Sequence, residues 1–278
     1  MKKKIETALS LTINDLTEKQ KIFAFRLLLL LLGRQITPFQ FNIMILKKLG
    51  YKPKRNELQK HFFVVAAENM SLLFKVKDNE IVLDYDFKEN PFSKLTKLKH
   101  NHTPTFTRNY TIDTNITARQ FADCLDYWRE FVNSNADTND KETFEVRLYF
   151  LAKIVETLYK INFETAKKMP FEILFAIQMW FAGIYMFFHK HDIYGILFQS
   201  SGESENQSNK ITLGMSETLL HLQKEGYNHA EDMNIIDFFN AQIKNLKDNL
   251  SDAIAKGAKP AELAAQMKLE IEIINRLV

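Results

Sequence analysis

The sequence predicts a mainly α-helical protein, and three observations support this fold class. The chain of 278 residues contains 23 Phe but only 8 Gly and 6 Pro, so large apolar residues are abundant and helix breakers are few. Capping boxes, in which Gln follows Thr three residues later, mark helix starts at Thr17, Thr37 and Thr117. Apolar residues then recur at intervals of three and four, which is the period of an amphipathic helix.

Three helices are predicted in the first part of the chain. The first contains the apolar run Leu27–Leu32 and is closed by Gly33. The second begins with Pro38 at its first helical position and stops at Gly50. A third is predicted over residues 56–70. Together they form the helical part of a small N-terminal unit.

A β-hairpin is predicted to complete that unit. The runs Leu72–Val76 and Ile81–Tyr85 are rich in β-forming residues and flank a short polar turn. Residues 1–92 are therefore interpreted as a basic α+β unit of three helices and a hairpin. Residues 93–115 show little periodicity and are interpreted as an irregular connector.

Residues 116–230 are predicted to form a multi-helix body, which includes an apolar helix over Phe144–Tyr159. A single apolar stripe follows the third capping box: Phe121, Leu125, Trp128 and Phe131. The apolar run Ile173–Phe188 forms a helix of about 24 Å, shorter than the roughly 30 Å hydrocarbon core of a bilayer. We therefore expect a buried central helix and no membrane partner.

Residues 231–278 are predicted to form an antiparallel αα-hairpin. The first helix carries a heptad-like seam, formed by Ile236, Phe239, Ile243, Leu246 and Leu250. Gly257 and Pro260 interrupt the pattern, as expected of a tight connection. The second helix carries its own apolar stripe, formed by Leu263, Met267, Ile271 and Ile274.

No catalytic, cofactor-binding or metal site is predicted. The eight glycines form no phosphate-binding loop and no nucleophile turn. His189 and His191 are two residues apart, so on a helix their imidazoles point to different sides. The single cysteine, Cys124, excludes an internal disulfide, and the neighbouring Asp123 and Asp126 disfavour a thiolate nucleophile. We therefore expect a non-enzymatic protein without cofactors.

Charge is concentrated at the N-terminal end of the chain. Residues 1–60 hold 13 Lys and Arg against 4 Asp and Glu. Six of these basic residues surround the second and third predicted helices: Lys47, Lys48, Lys52, Lys54, Arg55 and Lys60. Such a face can contact nucleic-acid phosphates or an acidic protein, although a solvated basic surface is the commoner explanation. Because residues 37–87 follow the helix–turn–helix–hairpin order of a winged helix, a DNA-binding regulator is the alternative function.

Several short segments occur in an order that resembles a group of phage proteins. They include Asn90-Pro91-Phe92, Thr117-Ala118-Arg119-Gln120-Phe121, Met169-Pro170-Phe171, Met179-Trp180-Phe181-Ala182-Gly183 and Gly226-Tyr227. The stretch from Asn90 to Phe239 resembles tail-region proteins of tailed bacteriophages and prophages of Bacteroidetes-type hosts, similar in layout to tail assembly chaperones. Leu213-Gly214-Met215 stands where that group has a tryptophan-rich segment. The resemblance implies a role in tail or virion morphogenesis and carries over no catalytic residue.

These observations lead to one leading function hypothesis. We expect a phage-type tail assembly or virion-associated protein that covers the apolar surface of an unassembled structural protein until it polymerises. The C-terminal seam is the predicted partner-binding surface, because a heptad seam can exchange its intramolecular partner for an intermolecular one. The same exchange would allow homo-oligomers. Because Lys2–Lys4 are not followed by an apolar core, we expect the host cytoplasm as its location, with retention in the virion as an alternative.

Overall fold

The computed structural model describes residues 12–51, 57–85, 87, 89–92, 102–108, 111–134, 141–199, 227, 229–267 and 271–278. Over these residues the protein is mainly helical, with two small antiparallel two-stranded sheets, which confirms the predicted fold class. The α-helices of the described residues are α1 (Glu18–Leu32), α2 (Pro38–Lys48), α3 (Glu57–Asn69), α4 (Ala118–Asn133), α5 (Lys141–Tyr159), α6 (Phe163–Lys167), α7 (Phe171–Lys190), α8 (Ile196–Gln199), α9 (Ile235–Ala255), α10 (Pro260–Met267) and α11 (Ile271–Leu277). The strands are β1 (Phe74–Lys77), β2 (Glu80–Leu83), β3 (Phe106–Arg108) and β4 (Ile112–Thr114).

The chain divides into two compact units, each built from distant parts of the sequence. Unit 1 comprises Met1–Thr103 and Glu130–Gly183, and unit 2 comprises Pro104–Arg129 and Ile184–Val278. The segments predicted from the sequence follow one another along the chain. Each observed unit instead combines two separate stretches of it. The reason is that α4 and α7 each supply residues to both units, and no turn or composition change marks a division inside a continuous helix.

The three predicted capping boxes are all formed. The backbone N–H groups of Thr17, Thr37 and Thr117 each donate to Oε1 of the Gln three residues later, at 2.9, 2.8 and 3.1 Å. In each box the Gln N–H donates back to the Thr hydroxyl oxygen. These reciprocal bonds satisfy donors that the first helical turn leaves unpaired, which is why α1, α2 and α4 begin at these positions.

The N-terminal part of unit 1 contains the three helices and the hairpin that the sequence predicts. Strand β1 pairs with β2 in antiparallel register, from Phe74 opposite Leu83 to Lys77 opposite Glu80. The two-residue loop Asp78–Asn79 has φ values of 52° and 63°. Positive φ at both central positions is the geometry of a type I′ turn, whose twist matches that of the flanking strands.

A buried asparagine joins α2 to the end of α3. The Asn42 side chain is 4% exposed, and its Nδ2 donates to the carbonyl oxygens of Ala67 (2.7 Å) and Met70 (3.0 Å). Those carbonyls lie at the C-terminal end of α3, where no N–H group of a following helical turn can donate to them. They therefore need donors from elsewhere in the chain. Asn42 therefore fixes the position at which α3 ends against α2.

Replacing Asn42 with Ala is expected to lower the free energy of unfolding by about 1–3 kcal/mol, because two buried carbonyl oxygens lose their donor. Urea denaturation followed by circular dichroism measures this loss. Asn69→Ala is the matched control, since its exposed amide donates to Val65 O within the same helix, α3. Equal effects of the two substitutions would contradict the assigned role of Asn42.

Hydrogen bonds join residues 90–92, at the end of the N-terminal part of unit 1, to α5. The Tyr159 hydroxyl donates to Phe92 O (2.7 Å) and lies 3.0 Å from Asn90 Oδ1, which also accepts the Phe92 N–H. On the other side, Lys21 Nζ donates to Pro91 O at 3.0 Å. Burial raises the pKa of Tyr159 and lowers the pKa of Lys21. The described part of the N-terminal segment therefore shares its core with α5.

Tyr159→Phe is expected to cost about 1–3 kcal/mol of unfolding free energy near neutral pH, since Phe92 O loses its buried donor. The raised pKa of Tyr159 means that the folded state holds the phenolic proton more tightly than the unfolded state. This contribution is present below about pH 10 and is lost as pH rises further. Urea titrations at pH 7 and pH 10.5 test both statements. Tyr149→Phe, at a tyrosine that is 42% exposed, should change stability little at either pH.

Unit 2 contains a second hairpin, which was not predicted from the sequence. Strands β3 and β4 pair from Phe106 opposite Thr114 to Arg108 opposite Ile112, inside the segment interpreted as an irregular connector. That interpretation was wrong for residues 106–108 and 112–114. Strands of three residues are too short to show a two-residue alternation, so periodicity could not reveal them.

Candidate interaction surfaces

The predicted C-terminal seam lies largely inside unit 2. Of its five residues, Phe239, Ile243 and Leu250 are buried, while Ile236 and Leu246 are half-buried. The first residues of α9 are also fixed by backbone hydrogen bonds: Ile235 N–H donates to Ile116 O, and Ala118 N–H donates to Met233 O. The seam is thus engaged within the chain and does not form an open face.

An aromatic cluster surrounds Phe239. Its ring centroid lies 4.8 Å from that of Phe188, 5.7 Å from those of Phe121 and Phe198, and 5.9 Å from that of Tyr194. Most of these rings meet edge to face, which is the arrangement that aromatic quadrupoles favour. Phe239 is only 1% exposed and belongs to the core.

The second arm of the predicted C-terminal hairpin consists of two described helices, α10 and α11. The chain reverses after α9 at Gly257, which has a φ of +96°. Helix α11 packs on α9, with Ile274 buried. Of the predicted stripe, Leu263 is half-buried and Ile271 is 45% exposed, while the side chain of Met267 lies outside the described residues.

The predicted basic face is only partly described. Lys47, Lys48 and Lys60 are exposed, and Lys48 Nζ lies 5.1 Å from the centroid of the Phe23 ring. Lys52, Lys54 and Arg55 lie outside the described residues. Helix α2 packs on both α1 and α3, and the β1–β2 hairpin follows α3 along the chain. The element order of a winged helix is therefore present.

The charges on α3 and the hairpin are mixed. The exposed cations are Lys60, Lys75 and Lys77; the exposed carboxylates are Glu68, Asp78 and Glu80. The Lys75 ammonium also lies 4.0 Å from Asp84 Oδ2. A DNA-binding surface needs a concentration of positive charge to attract phosphates. This concentration is missing among the described residues of α3 and the hairpin.

The residues considered as metal ligands or as a nucleophile take part in local hydrogen bonds or are buried. His191 Nδ1 accepts the backbone N–H of Ile193 at 3.2 Å, at the turn where α7 ends. Among the described residues, no group of three or more His, Cys, Asp or Glu side chains is placed to hold a metal ion. The Cys124 thiol is buried, and burial together with the nearby Asp123 carboxylate raises its pKa.

Cys124 is therefore expected to resist thiol reagents in the native protein. A Cys-specific chromogenic reagent added at pH 8 should label less than a tenth of the thiol within minutes in buffer, and all of it in about 6 M guanidinium chloride. The same thiol measured under the two conditions serves as its own control. Rapid labelling of the native protein would show that Cys124 is accessible.

Several exposed apolar side chains in unit 1 were not predicted, and those on α5 lie on more than one side of the helix. At the end of α4 and the start of α5, four large side chains are exposed: Val132 (58%), Phe144 (50%), Tyr149 (42%) and Val146 (41%). Other exposed apolar residues are scattered over the N-terminal segment: Leu32, Phe39, Met44, Val64, Val76 and Val82. Residues 144–159 are predicted to form an apolar helix, but periodicity alone could not distinguish its exposed residues from its buried ones.

Helix α7 is the one described helix whose length and composition would allow it to cross a membrane. Most of that helix is buried inside the protein, as in the core helix of a globular fold. Comparison of the chain with protein-family models, curated proteins and solved structures finds no match.

Proposed function

We propose that this chain is a non-enzymatic protein that binds another protein through exposed helical surfaces, in the manner of the phage tail assembly proteins that its sequence resembles. The observation that carries the proposal is the exposure of two large apolar side chains, Val132 at the end of α4 and Phe144 at the start of α5. Exposed Phe and Val side chains on neighbouring helical segments are typical of a surface that a partner covers. The proposed partner is an unassembled phage structural protein in the host cytoplasm.

In this proposal the partner binds at the end of α4 and the start of α5, and not at the C-terminal seam on α9. Removing residues 231–278 would strip Phe239 from the aromatic cluster, so loss of binding after such a deletion would report unfolding of unit 2. Burying one large apolar side chain contributes about 1.5–3 kcal/mol, so the side chains of α4 and α5 can support a specific complex without release of α9.

Co-expression of the tagged full-length chain with each product of the genes flanking it tests the proposal. We expect one of these products to co-purify in a fixed ratio and to remain soluble only when the chain is present. Phe144→Ser should reduce the recovered complex, while Phe39→Ser, at a phenylalanine of lower exposure in α2, is the matched control. If neither flanking product forms a complex with the wild-type chain, the proposal fails.

The second candidate is a DNA-binding regulator, which the α1–α2–α3–hairpin order favours. It predicts that the full-length chain shifts duplex DNA in a gel at 50 mM salt, and that affinity falls about 10³-fold or more by 200 mM because phosphate contacts release counterions. Substituting Lys47, Lys48 and Lys60 together with Gln should abolish the shift. Absence of binding at low salt removes this candidate and leaves the protein-binding proposal intact.

A further inference from the structure

On α5, Arg147 follows the exposed Phe144 by three residues and has no carboxylate partner among the described residues. Its guanidinium carbon lies 4.8 Å from the centroid of the Phe131 ring, and its Nε is buried with no described acceptor. The other two cations of α5 each have a carboxylate partner: Lys141 pairs with Glu145 at 3.8 Å and Lys153 pairs with Glu156 at 2.8 Å. The charge of Arg147 is therefore the one that its own helix leaves uncompensated.

Two exposed apolar side chains, Phe144 on α5 and Val132 on α4, are assigned to the same surface as this guanidinium. Phe144 precedes Arg147 by three residues and so lies on the same face of α5. Its ring packs against Phe171 with centroids 5.4 Å apart, which holds it in place although it is 50% exposed. Val132 follows Phe131 at the end of α4 and is 58% exposed. Phe131, Val132, Phe144, Arg147 and Phe171 are called the Arg147 patch below.

We propose that the Arg147 patch is the anchor point for the protein partner, and that the partner contributes a carboxylate flanked by apolar side chains. This inference rests on the proposed function and specifies the chemistry of the partner. An Arg stacked on an aromatic ring presents the planar edge of its guanidinium, which matches the two oxygens of a carboxylate. Phe144 and Val132 would then be covered by the apolar residues beside that carboxylate and exclude water from the ion pair.

Charge complementarity favours an acidic protein segment as the occupant of the Arg147 patch. A second copy of this chain could also offer an exposed carboxylate, such as Glu80 near the exposed Val82. Sedimentation of the chain alone tests this: a dimer that Arg147→Gln dissociates would overturn the choice of a different protein. A nucleic acid would need several cations, and the patch offers one. The proposed occupant is a segment of a different protein with Asp or Glu at its centre.

The test measures affinity between the purified full-length chain and the flanking-gene product that binds it, by calorimetry. We expect Arg147→Gln and Phe144→Ser each to weaken binding at least tenfold, which is the size of effect typical of anchor residues. Arg147→Lys should bind more tightly than Arg147→Gln, because it keeps the charge. Arg119→Gln is the control: this exposed arginine on α4 is paired with Asp123 at 3.3 Å, and its loss should leave affinity unchanged.

The outcomes separate the two proposals. If the wild-type chain binds a flanking product but Arg147→Gln and Phe144→Ser bind equally well, the Arg147 patch is overturned and the proposed function stands. Equal losses for Arg147→Gln and Arg147→Lys would also overturn the carboxylate assignment. If the wild-type chain binds neither product, both proposals fail. Thermal unfolding of each variant confirms that a loss of affinity is not a loss of fold.

Discussion

Gly183→Ala is expected to destabilise the protein by about 3 kcal/mol or more, although alanine is the better helix former by about 1 kcal/mol. The reason is a backbone contact in unit 1: a Cβ placed on Gly183 would lie 2.2 Å from the carbonyl oxygen of Tyr85, just after β2. A carbonyl in the chain that leaves a hairpin cannot rotate away as a side chain can. The helix or the hairpin must therefore move. Urea denaturation followed by circular dichroism measures the loss.

The control for this prediction is Gly33→Ala at the end of α1. Gly33 has a φ of −75°, which alanine adopts readily, and the nearest atom to an added Cβ is Leu29 O at 3.3 Å. Its effect should stay within about 1 kcal/mol, because neither the conformation nor the available space forbids a methyl group. A Gly183→Ala protein as stable as the wild type would show that α7 and the end of β2 do not approach so closely.

Phe239→Ala is expected to cost about 3–5 kcal/mol of unfolding free energy, as truncation of a fully buried phenylalanine does. The substitution removes a ring that contacts Phe121, Phe188, Tyr194 and Phe198 together. It also leaves a cavity among side chains that come from α4, α7, α8 and α9, so the whole aromatic cluster loses packing. The same urea denaturation experiment measures this effect.

Phe144→Ala is the matched control, because it changes the same residue type at a position that is 50% exposed. We expect it to lower stability by less than about 1 kcal/mol, since surface substitutions away from the core have small effects. The two variants should also differ in binding: Phe144→Ala weakens the partner complex at unchanged fold. The opposite pattern, with a stable Phe239→Ala protein that no longer binds, would return the partner-binding role to the seam.

Features that depend on adjacent residues could be predicted from the sequence. The capping boxes at Thr17, Thr37 and Thr117 join residues three apart, and all three form as predicted. The Asp78–Asn79 turn is equally local, because two residues that tolerate positive φ are enough to specify a hairpin of this type. Helix periods also showed correctly that Phe239, Ile243 and Leu250 share one apolar face.

What the sequence by itself determined is therefore the helical fold class, the starts of three of its helices and the first hairpin. The tertiary structure decided which apolar faces are covered. Phe239 and Phe144 both lie in predicted apolar helices, yet one is 1% and the other 50% exposed. Periodicity tells which residues lie on one side of a helix, but burial depends on chain segments far away in the sequence. For the same reason, the contact of Gly183 with Tyr85 became visible only in the folded chain, as did the lack of a carboxylate beside Arg147 among the residues that the structure describes.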